Sequence, residues 1–198
     1  MDRGNRRACR RGRMFAIAVL MAAACRDETL APLAEEPSAS EHALRLARNV
    51  RGDGDIMGLL HLTNVAAMQS GTLARERAIA TPVYTYASTL VAAYGEMDRQ
   101  GAMLSWELRV APTLPDSALS RLYAEEAASL ATTGRAAFDS AFVALQVRVH
   151  DRTLALIDAT RPRVERPELG ALLDAVVRPA VAAHRRGAVA LQQQLAAR

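Results

Sequence analysis

The sequence predicts an all-α protein, and composition and periodicity are the two observations that predict it. Hydrophobic residues make up 51% of the chain, yet Phe, Trp and Tyr together make up only 4%. Ala and Leu dominate instead, and both lose little side-chain entropy in a helix. A sheet protein would hold more Val, Ile, Tyr and Phe. From residue 55 onward, apolar side chains recur every three or four residues, which is the period of a helix buried along one face.

Helix-starting and helix-ending residues divide this region into successive helices. Thr81-Pro82 offers an N-cap followed by proline in the first turn, and Asp116 is placed to cap a later helix. The predicted helices span residues 55–80, 81–111, 116–134, 135–160 and 167 onward. Because four of them exceed 20 residues and the loops are short, neighbours should be antiparallel. The predicted architecture is an up-and-down antiparallel bundle of four or five helices over residues 55–198.

Residues 1–24 have the features of a secretory signal peptide. Arginines crowd the first 13 positions, and eleven uncharged residues follow. That stretch is too short to cross a hydrocarbon core of about 30 Å and is typical of a signal peptide. The small residues ahead of Cys25 resemble a lipobox, which predicts acylation of Cys25. The alternative is ordinary cleavage after Ala24, which leaves Cys25 as a free thiol without a disulfide partner, because Cys9 lies in the leader.

Residues 25–54 are predicted to connect the lipid to the bundle. The segment is polar and contains prolines, as a flexible tether does, and Ser38 with Glu41 has the capping-box spacing of a short helix. More than one acyl chain gives stable anchoring, so the expected partner is a membrane, and no protein partner is indicated. Arg26, rather than Asp, follows the cysteine. By analogy with known lipoprotein sorting, this favours the periplasmic face of the outer membrane.

The basic character of the chain does not indicate a nucleic-acid partner. The sequence pI is about 9.7, but six of the 25 basic residues and only one of the 21 acidic residues lie in residues 1–24. The remainder holds 19 Arg and 20 acidic residues, so it is close to neutral. Binding to phosphates requires a positively charged surface. We therefore expect no binding to nucleic acid.

No catalytic motif is present. The chain has no G-x-G-x-x-G, P-loop or G-x-S-x-G sequence, and its four histidines are scattered, with no Glu-x-x-His pair. A di-iron centre in a helical bundle needs such pairs and carboxylates from four helices. We therefore expect a non-enzymatic protein without a cofactor.

The sharpest candidates for a polar centre are His150 and His184. Each continues the apolar row of its helix and is expected to point inward, and the two helices should be antiparallel neighbours. The candidate ligands or structural polar residues are His150, His184, Gln146, Asp139 and Tyr94. Asp139 precedes His150 by eleven residues, or about 16 Å along a helix, so the two cannot share a coordination shell. We expect neutral, hydrogen-bonded histidines with a structural role, and a metal or small-ligand site is the alternative.

Several of these residues also carry a family resemblance. The matching positions are Thr81-Pro82-Val83, Tyr86-Ala87, Leu90-Val91, Phe138-Asp139, Gln146, His150, Pro179 and His184. Over about residues 55–196 the chain resembles the secreted bacterial family called domain of unknown function 4142. The resemblance implies a ferritin-like four-helix bundle, an outer-membrane location and a proline five residues before the last histidine.

The chain departs from the pattern of that family at polar positions. Members usually have Glu within the stretch that matches Ala67-Met68-Gln69, and Asp-His where Ala93-Tyr94 stands. If the family has a polar or metal-binding centre, this chain lacks about half of it. The sequence thus favours a lipid-anchored periplasmic protein with a non-catalytic role in binding or envelope integrity. The alternative is a redox protein that binds a metal or cofactor at His150 and His184.

Overall fold

The computed structural model describes residues 39–114 and 117–197, and no strand occurs within them. The predicted signal peptide, Cys25 and Asp116 lie outside the described residues. The helices are α1 (Ala39–Ala47), α2 (Asp53–Arg77), α3 (Thr81–Leu108), α4 (Ala118–Thr132), α5 (Phe138–Thr160), α6 (Pro167–Leu172) and α7 (Arg178–Ala196). A π-helical turn, Leu173–Val177, joins α6 to α7, and short 3₁₀ turns precede and follow α5. The predicted all-α fold is confirmed. None of the described helices is both long and apolar enough to span a bilayer.

The long helices alternate in direction. At one end of the bundle, the start of α2 meets the segment after α3, where the Thr113 N–H donates to the Gly54 carbonyl at 2.9 Å. At the opposite end, Arg77 in the last turn of α2 donates to the carbonyl of Thr133, just after α4. Ion pairs between Asp158 and Arg178 and between Asp151 and Arg185 join α5 to α7 in antiparallel order. The predicted up-and-down arrangement is therefore present.

One apolar core runs through the bundle and includes α1. This helix packs against α5, and Ala43, Leu46 and Val50 belong to the core that α2, α3, α5 and α7 build. The described part of the predicted connecting segment 25–54 is therefore integral to the bundle. The largest fully buried apolar side chains are those of Tyr94, Phe138, Phe142, Ile56, Leu90, Leu119, Leu169 and Leu173.

Two buried aspartates hold loops at opposite ends of the bundle. The Asp53 carboxylate accepts the backbone N–H groups of Glu165 and Arg166 at 2.9 and 3.0 Å. The Asp139 carboxylate accepts those of Ile79 and Ala80, the latter at 2.7 Å. Each aspartate satisfies donors at or before the start of a helix distant in sequence, where N–H groups have no partner within the helix.

The start of α3 differs from the prediction, and Asp139 explains the difference. Thr81 is the first helical residue rather than the N-cap; the cap position is Ala80, and its side chain makes no capping hydrogen bond. Asp139 supplies the acceptor from the first turn of α5. Pro82 lies in the first turn of α3, where its missing N–H costs no intrahelical bond.

The π-helical turn accommodates Pro179. A proline has no N–H and clashes with the carbonyl four residues earlier, so it breaks the regular α-helical pattern. Just before it, the Arg178 N–H donates to the carbonyl of Leu173, five residues earlier. This widened turn lets the helix continue from α6 into α7 past a proline.

Candidate functional site

Four helices contribute to a polar centre in the middle of the bundle, made of Ser70, Tyr94, Gln146, His150 and His184. The ring centroids of His150 and His184 lie 5.9 Å apart. Tyr94 from α3 lies 5.9 Å from the His150 ring and 5.6 Å from the His184 ring. Inward-facing positions on α3, α5 and α7 thus bring three predicted residues into mutual contact.

Burial and one short hydrogen bond determine the protonation state and the tautomer of His150. Its side chain is 0% exposed, and Nδ1 lies 2.5 Å from the Gln146 carbonyl oxygen, one helical turn earlier. Because a carbonyl can only accept, Nδ1 carries the hydrogen and Nε2 presents a lone pair. Burial lowers the pKa of His150 to about 4 and also lowers the pKa of His184. Both imidazoles are therefore neutral at pH 7.

Three atoms of the polar centre are buried without a hydrogen-bond partner in the described structure: Tyr94 Oη, Gln146 Oε1 and His150 Nε2. The amide nitrogen of Gln146 does have a partner, because Nε2 donates to Ser70 Oγ at 3.1 Å. Burial raises the pKa of Tyr94, so its phenol stays protonated. The centre thus combines two acceptors and a neutral hydroxyl, and each unsatisfied buried group costs about 1–3 kcal/mol.

Asp139 does not belong to the polar centre. It lies at the end of the bundle and accepts hydrogen bonds from the backbone ahead of α3, which is a structural contact. In the described ranges, no group of three or more His, Cys, Asp or Glu residues is placed to hold a metal ion. The residues present do not fit a ferritin-type di-iron site, which needs carboxylates from several helices.

A second site, here called the His61 pocket, lies between α2, α3 and the α6–α7 junction, with a volume of about 440 Å³. The described residues that line it are mostly apolar: Met57, Leu60, Met97, Gly101, Ala102, Pro112, Leu169, Leu172 and Val177, with His61, Asn64, Asp98 and Ser105 as the polar ones. An apolar concavity with a few polar groups is the usual form of a small-molecule site.

The polar edge of the His61 pocket is a hydrogen-bonded triad. His61 Nδ1 lies 2.8 Å from Asp98 Oδ1, and Asn64 Nδ2 donates to the same oxygen at 3.5 Å. The side chains of His61 and Asp98 are 61% and 24% exposed, so this edge faces the solvent. The sequence does not predict this pair, because Asp98 is 37 residues away from His61 and on another helix. The spacing of His61 and Asn64 on one helical face was the only available signal.

The fold and these two sites define a helical-bundle protein with a neutral buried centre and an apolar pocket. A family model described as Domain of unknown function (DUF4142) matches residues 27–191, and the chain belongs to that family. The match begins ahead of α1, whereas the resemblance noted from the sequence begins at about residue 55. No curated protein and no solved structure matches the chain. The ferritin-like relationship stays a prediction.

Proposed function

We propose that this chain is a non-catalytic binding protein of the cell envelope that holds a small, largely apolar molecule in the His61 pocket. The observation that carries the proposal is the pocket itself, about 440 Å³ of space with mainly apolar walls and one polar edge. Pockets that bind small ligands have volumes of roughly 300–1,000 Å³, and they too are lined mainly by apolar side chains with a few polar groups. Met57 and Met97 give the walls adaptable side chains that can fit different ligand shapes.

Binding can be tested with N-phenyl-1-naphthylamine, a neutral apolar dye that fluoresces when it leaves water. The matched variants are Gly101→Phe and Gly101→Ala. A Cβ at Gly101 would meet nothing within 4 Å, so both side chains can be added without a clash at that atom. We expect saturable binding to wild type and Gly101→Ala, and at least tenfold weaker binding to Gly101→Phe, because the ring fills the pocket. An absence of saturable binding, or equal binding to all three proteins, would contradict the proposal.

The proposal includes a lipid anchor at Cys25 and a location on the periplasmic face of the outer membrane. The support is the sequence of the leader, with its short uncharged stretch and the small residues ahead of Cys25. In cells fed labelled palmitate, we expect the wild type and Cys9→Ser to incorporate label and Cys25→Ser to remain unlabelled. Label in Cys25→Ser, or a mature protein that begins elsewhere, would overturn this part of the proposal.

A metal or cofactor centre with a redox role is the second candidate function, at His150 and His184. One observation favours it: His150 donates from Nδ1 to a backbone carbonyl and leaves a buried, unpartnered Nε2, which is the arrangement of many metal-ligating histidines. The alternative is that these residues act in structure alone. Metal analysis of protein purified without a histidine tag separates the two. The binding proposal expects no stoichiometric metal, whereas a metal that is lost in His150→Gln/His184→Gln would establish the second candidate.

A further inference from the structure

We propose that the His61 pocket selects amphiphiles that carry a positive charge, an inference that rests on the proposed function. Among the described residues that line the pocket there is one carboxylate, Asp98, and there is no arginine. The neighbouring arginine on α3, Arg99, is paired with Glu96 instead. A ligand with an ammonium group would therefore meet an opposite charge in this pocket, and an anionic ligand would meet a like charge.

The hydrogen bonds of Asp98 leave one of its oxygens available to a ligand. Oδ1 takes both contacts of the triad, from His61 and from Asn64. Within the described chain, no residue donates to Oδ2. A carboxylate oxygen can accept a charge-assisted hydrogen bond from an ammonium group, and such bonds are stronger than those between neutral partners.

The exposure of the lining residues indicates how a ligand would lie in the pocket. Leu169 is 0% exposed, and Met57 and Val177 are 4% exposed, so the apolar floor lies inside the bundle. The His61 side chain is exposed and that of Asp98 is partly exposed, so this carboxylate stands closer to the mouth than the floor does. An amphiphile would place its hydrocarbon body on the floor and its headgroup at the mouth, beside Asp98. The ligand class is therefore an apolar amine of drug-like size.

The charge preference can be measured with three ligands that share one dodecyl chain: dodecylamine, dodecanol and dodecanoate. Each is used below the concentration at which it forms micelles, in competition with bound N-phenyl-1-naphthylamine. In wild type we expect the amine to compete at least tenfold better than the alcohol, and the carboxylate to compete worst. The advantage of the amine should decrease as salt is added, because the mouth of the pocket is exposed to solvent.

Two variants test whether Asp98 causes the preference for the amine. In Asp98→Asn we expect the amine to lose its advantage while the alcohol keeps its affinity, because the amide has a similar shape and no charge. Glu96→Gln is the matched control, since Glu96 lies on the same helix, is exposed and is paired with Arg99; it should behave as the wild type. Circular dichroism and urea unfolding check that both variants fold.

The outcomes separate this inference from the proposed function. If no ligand displaces the dye and the dye itself does not bind, the pocket proposal fails. If the three ligands compete equally in wild type, or the carboxylate competes best, the pocket proposal stands and the charge preference is overturned. An amine advantage that persists undiminished in a folded Asp98→Asn would also overturn it.

Discussion

The carbonyl oxygen of Thr113 lies 1.8 Å from the position that a Cβ atom on Gly58 would occupy. The segment after α3 therefore crosses α2 in direct backbone contact, and Thr113 also donates to the Gly54 carbonyl in the preceding turn. Since the atom that would clash belongs to the backbone, Gly58→Ala must displace this segment. We expect a loss of about 1–3 kcal/mol in the free energy of unfolding.

The matched control for Gly58→Ala is Gly101→Ala, measured by urea unfolding in the same buffer. Gly101 lies inside α3 with open space around its Cβ position. Because alanine is the better helix former, this variant should gain up to about 1 kcal/mol. Equal effects of the two substitutions would mean that the contact between Gly58 and Thr113 is not tight in solution.

Arg109 ends α3 in a left-handed conformation with φ of 54°. It is the one described non-glycine residue with positive φ. A side chain in this region costs about 1–2 kcal/mol, and glycine is the usual residue at this position after a helix. Arg109→Gly is expected to raise the free energy of unfolding by up to about 1 kcal/mol, whereas Arg109→Ala should not. Urea midpoints measure both, and a gain in the alanine variant would point to removal of the arginine charge as the cause.

The burial of His150 makes the stability of the bundle depend on pH. Burial lowers the pKa of His150 from 6.5 to about 4 in the folded protein, so between these values the unfolded chain binds more protons than the folded one. The free energy of unfolding should therefore be highest above pH 6.5 and decrease towards pH 4, with about 3 kcal/mol of the decrease due to His150.

His150→Gln tests this dependence. The variant should be about 1–3 kcal/mol less stable than the wild type at pH 7, because it disturbs a buried hydrogen-bonded group. Its stability should then decrease less steeply between pH 7 and pH 4, and His150→Gln/His184→Gln should be flatter still, since burial also lowers the pKa of His184. Urea unfolding at several pH values measures the slopes, and parallel curves for wild type and variants would refute the prediction.

Arg152 and Glu126 form a nearly buried ion pair between α5 and α4. Their side chains are 8% and 15% exposed, the pair makes two parallel hydrogen bonds, and the guanidinium lies 5.0 Å from the centre of the Tyr123 ring. Removing one partner leaves a poorly solvated charge. Arg152→Met should therefore cost about 3–5 kcal/mol, and Arg152→Met/Glu126→Leu should cost less than this single change. A double-mutant cycle measures the difference, and strict additivity would show that the charges do not interact.

The sequence predicted the helices well because their positions follow from local periodicity. Rows such as Val83, Ala87 and Leu90 show which face of α3 is buried, whatever it packs against. His150 and His184 were predicted to point inward for the same reason, because each continues the apolar row of its helix. Asp139 lies apart from these histidines, as its spacing from His150 predicted. Its partners, Ile79 and Ala80, could not be predicted, because they are determined by the arrangement of helices and not by the sequence around Asp139. Asp98 and His61 were missed for the same reason: their contact depends on how α2 and α3 align.

The π-helical turn at Leu173–Val177 holds one residue more than an α-helical turn would, because its closing hydrogen bond spans five residues instead of four. The extra residue is contained within the turn, so α7 keeps the rotation that places His184 against Tyr94 and His150. Deleting Ala175 would remove the extra residue and leave Pro179 inside an ordinary α-helix, where it has no N–H and clashes with the carbonyl four residues earlier. That deletion should therefore be far more harmful than a one-residue deletion at the carboxyl end of α7, where no proline follows.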